Sequence, residues 1–163
     1  MANLQQIMDY KTDLIRLFVN CEEIVNTIDN PNIETPDELI NQNIFKDLYI
    51  PDVQSATKTY ICIGAYVYKV KDDLNLSVEL HIWVFTHQDI MNTAFGYTRV
   101  DYIQNQIDKL LNGNFHYGID EIRLVSSKMF RPNAKFGGVE LVYIIPDINQ
   151  SRCNGFDRDK THN

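Results

Sequence analysis

The sequence predicts an α+β fold: a two-layer sandwich with a mainly antiparallel four-stranded sheet in ββαββ order and an N-terminal amphipathic helix. Two observations predict it. In some segments apolar residues recur every three or four positions, as in an amphipathic helix, and in others every second position, as in a strand. A chain of 163 residues suits one core, and we assign residues 1–149 to a single domain and residues 150–163 to a polar, flexible C-terminal tail.

The helices are predicted from apolar stripes and capping signals. Residues 3–19 place their apolar side chains on one face, opposite glutamine and aspartate. Thr35-Pro-Asp-Glu38 has the pattern of a capping box and opens a short helix, whereas residues 41–54 are expected to be irregular. Thr98 can cap the last helix, which ends at Asn112 and Gly113.

The strands begin where the period changes to two. Residues 57–70 form the first predicted strand, and KDDLN, ending at Asn75, is expected to turn the chain into an antiparallel second strand. Two further strands are predicted at residues 120–129 and 137–145. The basic segment between them, FRPNAKFGG, is expected to be a loop, with a bulge or a close backbone approach at FGG.

The second strand, which contains ELHIWVFTH, has one apolar face and one mixed face. The mixed face and the same face of the first strand carry five aromatic side chains: Tyr60, Tyr66, Tyr68, Trp83 and Phe85. Each ring buries about 150–250 Å² when covered, and large exposed patches are unusual on a monomer. Because the two predicted helices suffice for one face only, we expect another chain to cover these residues and assign them to an interface.

Three basic residues form the second part of the predicted interface. The formal charge of −7 argues against a dedicated nucleic-acid binder, which needs a basic surface. Lys128, Arg131 and Lys135 nevertheless lie close together in the sequence. They are either simply solvated or reach an acidic surface on a neighbouring subunit. Charge reversal at Arg131 and Lys135 that left assembly unchanged would contradict the second reading.

The sequence shows no sign of export or of a membrane span. Its first residues lack the basic start and apolar run of a signal peptide, and no apolar run approaches the roughly 18 residues of a membrane helix. Cys21, Cys62 and Cys153 are widely spaced and suit neither a disulfide framework nor a CxxC metal site. We therefore expect a soluble chain with free thiols in a reducing cytosol.

Catalytic and metal-binding alternatives rest on few residues. His81 and His87 share a strand face, but the strand between them spans about 20 Å, too far to share one ion. Asp73, Glu79 and His81 could hold a divalent metal for nucleic-acid processing, and metal binding abolished by Glu79→Ala would favour this. Such sites commonly have a lysine two residues after the acidic residue. Two residues after Glu79, however, this sequence has His81. We expect no catalytic residue, no cofactor and no metal.

Several local patterns follow the first helix and the hairpin: TRVDYIQNQIDKLLNG at residues 98–113, GIDEIRLVS at 118–126 and YIIPDIN at 143–149. With the order of the elements, they resemble small tail-terminator and neck (head-tail joining) proteins of tailed bacteriophages. The resemblance implies an α/β sandwich whose copies form a ring, commonly a hexamer, capping the tail tube. It also implies a lumen that conducts DNA without specific binding, which suits the negative charge.

We therefore expect a structural assembly protein of the virion neck or tail, assembled in the bacterial host cytoplasm. Its partners would be its own copies, the tail tube protein and a head-completion or connector protein. Two other classes stay open: the metal-dependent enzyme, and a monomeric adaptor or assembly chaperone that holds a partner on the same aromatic face. A one-to-one complex in place of a ring would indicate the adaptor.

Overall fold

The computed structural model describes residues 4–52, 56–70 and 75–148, with backbone alone at 69 and 70. The predicted tail at 150–163, Cys153 and the turn containing Asp73 lie outside the described residues. The described elements are α1 Leu4–Val19, α2 Glu22–Ile28, β1 Ile44–Phe45, β2 Thr59–Val70, β3 Asn75–His87, α3 Arg99–Leu111, β4 Arg123–Asn133 and β5 Phe136–Ile148, with short 3-10 turns at Pro36–Leu39 and Gln88–Ile90.

The five strands form one mixed sheet in the order β1-β2-β3-β5-β4. β2 with β3, β3 with β5, and β5 with β4 are antiparallel pairs, whereas β1 is parallel to β2. The α+β class and the antiparallel hairpins are confirmed. The predicted sheet of four strands is corrected to five, because β1 has two residues and a period of two cannot be recognised in so short a segment.

α2 is a further element that the sequence pattern did not predict. Its seven residues are too few for a helical period to stand out, and Cys21 at its N-cap makes no side-chain capping bond. Glu22 and Glu23 occupy its first turn, where negative charge stabilises the helix dipole. The αL conformation of Asp29, with φ of 52°, ends the helix.

Asn43 explains why part of the segment expected to be irregular is ordered. Its backbone carbonyl accepts the Ile61 N–H at 2.8 Å, and its side-chain amide donates to the Thr59 carbonyl at 2.8 Å. Asn30 donates in turn to the Asn43 side-chain oxygen at 2.8 Å. These bonds fix the chain beside β2 immediately before β1, so the prediction of an irregular segment is corrected here.

The α-helices lie on one face of the sheet and bury the larger apolar core. α1 packs on β2, α3 packs on β3 and β5, and α2 contacts both of the other helices. The strands contribute alternate residues to this core, including Ile61, Ile63, Val78, Leu80, Ile82, Val84, Leu141, Tyr143 and Ile145. None of the described helices has the length and apolar character needed to cross a bilayer.

Both predicted helix starts are confirmed by their caps. The Thr98 hydroxyl accepts the Asp101 N–H at 3.0 Å at the start of α3. The Glu38 carboxylate accepts the Thr35 N–H at 3.1 Å at the 3-10 turn, which closes the predicted capping box. Gly113, with φ of 79°, follows the end of α3 as the sequence predicted.

A partly buried polar contact joins α1 to the end of β5. The Tyr10 hydroxyl donates to the Asp147 carboxylate at 2.6 Å and accepts the Gly118 N–H at 3.3 Å. Asp147 is fully enclosed at this point. Burial and the neighbouring Asp147 carboxylate raise the pKa of Tyr10. The contact therefore fixes residues that are 137 positions apart in the sequence.

The last hairpin is longer than predicted. β4 continues to Asn133 and β5 begins at Phe136. Most of the segment that was expected to be a basic loop therefore belongs to these two strands, and only a tight turn separates them. The Asn133 side-chain oxygen accepts the Lys135 N–H at 2.9 Å within this turn. Pro132 is tolerated because the pairing with β5 is irregular between Phe130 and Asn133.

Candidate functional site

The face of the sheet opposite the helices is covered over one half by the chain itself. Residues 45–51, which we call the covering segment, cross this half from the β1 edge. At the far side the Pro51 carbonyl accepts the Asn133 side-chain amide at 3.0 Å. A second apolar cluster lies beneath, formed by Tyr60, Cys62, Trp83, Phe85 and Phe136, with Phe45, Leu48 and Phe130 packed against it.

Ring contacts hold the covering segment on the sheet. Phe45 and Tyr49 stack with centroids 4.5 Å apart, and Tyr49 lies 5.6 Å from Tyr60. The premise that only another chain could cover Tyr60, Trp83 and Phe85 is therefore corrected, since all three are buried within this chain. The cover is a segment without periodicity, which the sequence pattern did not assign to any face.

Cys62 provides a chemical test of this cover. The Tyr49 N–H donates to Cys62 Sγ at 3.4 Å, and burial raises the pKa of the thiol to about 12. At pH 8 about one thiol in ten thousand would be ionised. In a Cys153→Ser variant, we expect a thiol-reactive probe to modify the partly exposed Cys21 in the native protein and Cys62 only in urea. Native modification of both thiols at similar rates would contradict the cover.

The other half of this face is open and carries Tyr66, and Tyr68 follows in the β-bulge between Val67 and Lys69. Tyr66 and Tyr68 are 47% and 61% exposed. Tyr66 lies over Gly64, where an added Cβ would meet its hydroxyl at 2.8 Å, and its ring stands edge-on to His81 with centroids 5.6 Å apart. Partial burial raises the pKa of Tyr66, and the negative charge of Asp47 adds to this effect.

His81 lies at the boundary between the two halves, between two carboxylates. Its Nδ1 is 2.7 Å from Glu140 Oε1, its Nε2 is 3.5 Å from Glu79 Oε1, and its ring stacks on Trp83. Each ring nitrogen therefore faces a carboxylate oxygen. The sequence pattern missed Glu140, because only the pairing of β3 with β5 brings it beside His81 across 59 residues.

This cluster contains two of the residues considered for a metal site, Glu79 and His81. Its two carboxylates face different nitrogens of one ring, so they do not converge on a common point as ligands of one ion do. Within the described ranges, no three His, Cys, Asp or Glu side chains are placed to hold a metal ion. His87 has a separate environment at the end of β3, where its Nδ1 accepts the Asp89 N–H at 3.2 Å.

The three predicted basic residues lie along one edge of the sheet. Lys128 and Arg131 belong to β4 and Lys135 lies in the turn that follows, and all three are exposed. None of these side chains forms an ion pair with a residue that the structure describes. Their positive charge is therefore presented to solvent or to a partner.

The outer edge of β4 and part of the outer edge of β2 lack a partner among the described strands. β4 pairs with β5 on one side and with no described strand on the other. β1 pairs with β2 only at Ile61 and Cys62. From residue 63 onward, β2 therefore has no described strand beyond it on that side. Two open edges, on β4 and on residues 63–68 of β2, flank the open half of the face.

The fold and this surface define a small α+β protein with three helices on one side of its sheet and a partly open aromatic face on the other. The chain belongs to the YomW family, whose model matches residues 4–145. The family name comes from a phage-like (SPbeta) gene region of Bacillus, which indicates a phage-associated protein. No curated protein gives a significant match to this chain.

Proposed function

We propose that this chain is a structural assembly protein of a phage particle, a ring-forming tail-terminator or neck subunit that joins the tail tube to the head-completion complex. The observation that carries the proposal is the open half of the sheet face. The covering segment buries one set of aromatic rings and leaves Tyr66 and Tyr68 exposed. Exposed tyrosines of this kind are typical of interface cores, and membership of a phage-associated family supports the assignment.

The proposed mechanism is binding by a preformed surface. Tyr66 lies over Gly64 and edge-on to His81, so its ring loses little conformational freedom when a partner packs on it. Copies close into a ring at the end of the tail tube in the neck or tail of the virion. The net charge of −7 suits a lumen through which DNA passes without binding.

The Tyr66→Ala/Tyr68→Ala double variant tests the proposal. We expect it to weaken ring formation or tube binding at least about tenfold, as loss of interface anchors does. Its unfolding free energy should change by less than about 1 kcal/mol, because Tyr66 is about half exposed and Tyr68 more so. Tyr97→Ala is the matched control, since Tyr97 is exposed in a loop outside this face. Sedimentation velocity and negative-stain imaging with purified tail tubes measure the outcome.

Three results of that experiment separate the function classes. Rings or tube-bound discs of the wild-type chain that the double variant loses would support the proposal. A one-to-one complex with a phage protein would support the adaptor instead. A chain that stays monomeric and binds neither the tail tube nor a head-completion protein would overturn the ring.

The metal-dependent enzyme has one observation in its favour, the adjacency of Glu79 and His81 on the open half of the face. Against it, both nitrogens of His81 already face carboxylates. Asp73, its third residue, lies outside the described part of the chain. The effect of Glu79→Ala on divalent-metal binding is the direct test of this alternative.

A further inference from the structure

We propose that copies of this chain join through their sheet edges, with β4 of one copy adding to residues 63–68 of β2 in the next copy. This inference rests on the proposed ring and names the surface that would close it. Three observations carry it: an edge on β2 with neither charged residues nor proline, a basic edge on β4, and strand directions that let the two continue one sheet.

The free part of β2 has little of the usual protection of an edge strand. An unpaired edge presents backbone N–H and C=O groups that readily accept another strand, and natural proteins normally block it with charged residues, proline or bulges. Residues 63–68 read IGAYVY and contain neither a charged residue nor proline, and the bulge of β2 lies at the far end of this stretch, between Val67 and Lys69. Tyr66, Val67 and Tyr68 are also exposed apolar or aromatic residues on this edge. Strand addition is the interaction that such an edge favours.

In contrast to the free part of β2, the edge of β4 is basic and partly protected against strand addition. Its sequence, RLVSSKMFRPN, contains no acidic residue. Arg123 is paired with Glu121 at 2.9 Å, but Lys128 and Arg131 form no ion pair with a described residue, on a chain with a formal charge of −7. Val125 and Met129 are exposed along it. Lys128 and the irregular pairing near both ends protect β4 against indiscriminate strand addition. A partner edge with negative charge nearby would overcome this protection.

The surroundings of the free part of β2 supply that negative charge. Asp47, at the bend after β1, is close enough to Tyr66 to raise its pKa. Glu79 is the cross-strand neighbour of Tyr66 on β3. Pairing β4 with β2 therefore brings unlike charges together. Pairing two β4 edges would bring basic residues together, and pairing two β2 edges would bring the Asp47 carboxylates together, so the charges favour head-to-tail contact.

The strand directions allow this contact to repeat. Because the pairs β2-β3, β3-β5 and β5-β4 are all antiparallel, β2 and β4 run in opposite directions. A second copy in the same orientation would thus present β2 antiparallel to β4 of the first and extend the sheet without reversal. Each copy uses one edge of each type, and a head-to-tail contact of this kind forms a ring when its rotation closes. The tyrosines of successive copies would then share one side of the sheet.

Cross-linking between introduced cysteines tests the pairing. Val67→Cys marks the β2 edge and Val125→Cys marks the β4 edge, both at exposed positions and both in a full-length Cys21→Ser/Cys153→Ser background. After assembly, a short bismaleimide should give a ladder of multimers from the double variant and dimers from a one-to-one mixture of the single variants. Each single variant alone should give none. Val67→Cys combined with Phe95→Cys, at an exposed loop position, is the matched control and should not cross-link.

The outcomes distinguish failure of the edge contact from failure of the ring. Rings that form without cross-linking in the double variant would reject the edge contact and leave the ring standing. Dimers from either single variant would show two-fold pairing of like edges and would also reject it. A chain that never assembles, on its own or on tail tubes, would reject the ring and the edge contact together.

Discussion

Replacement of Phe85 with alanine is expected to lower the free energy of unfolding by about 3–5 kcal/mol, the range found when a buried phenylalanine is truncated. Phe85 is 0% exposed, and the rings of Tyr60, Phe130 and Phe136 lie 5.4, 5.5 and 6.2 Å from it. Truncation would leave a cavity in the middle of these rings, because they belong to three different strands and cannot all move inward. Equilibrium unfolding in urea measures the loss.

Phe95→Ala is the matched control for this substitution. Phe95 is 55% exposed in the loop before α3, so its truncation should cost less than about 1 kcal/mol. An equally small loss for Phe85→Ala would mean that the covering segment does not enclose this half of the sheet. The interface would then have to include Tyr60, Trp83 and Phe85, as the sequence pattern suggested.

Gly138→Ala is expected to destabilise the fold by at least about 3 kcal/mol, at the upper end of the range for overpacking. An added Cβ would lie 1.9 Å from the Val84 carbonyl oxygen and 2.5 Å from Phe85 Cα, both in the backbone of β3. A side chain could rotate away, but a paired strand cannot, so the central pairing of β3 with β5 would have to open. Urea unfolding and far-UV circular dichroism report the change.

The neighbouring glycine gives the control. At Gly137 an added Cβ would meet only the flexible end of Met91 at 3.4 Å, so Gly137→Ala should be close to neutral. Equal effects of the two substitutions would contradict the register in which Gly138 faces Phe85. The FGG sequence predicted a bulge or a close backbone approach, and the structure identifies Gly138 as the position of closest approach.

The parts of the fold that could be predicted are the helices with several turns and the strands in which apolar and polar residues alternate several times. α1, α3 and the long hairpins each repeat their period several times, and Thr35 and Thr98 mark helix starts by a local chemical rule. α2 and β1 repeat their period too few times to be recognised. The boundary of β4 was missed because Pro132 and the glycines of β5 read as loop, whereas a proline next to irregular edge pairing leaves the strand intact.

The aromatic face shows a different limit. Alternation placed Tyr60, Tyr66, Trp83 and Phe85 on one face correctly, but it contains no information on what lies above them. That depends on the path of the covering segment, which Asn43 fixes through bonds to β2. Burial therefore divides the face into a covered half and an open half for a reason that only tertiary structure reveals.

The pairing of His81 with Glu140 shows a third limit. Alternation assigns both residues to a face, but it does not specify which strand lies beside which. β5 is the last strand in the sequence, yet it inserts between β3 and β4. The histidine considered for metal binding therefore meets a carboxylate that no local spacing could have associated with it.

This placement of β5 also has a consequence for biosynthesis. Until residues 136–148 leave the ribosome, the nascent chain has β3 without its inner neighbour and β4 without any partner strand. The Tyr10 contact to Asp147 cannot form either, so α1 can pack on β2 but lacks its polar contact to β5 until then. The sheet therefore cannot be completed before β5 is available, and until then we expect the apolar flank of β3 to be exposed to aggregation.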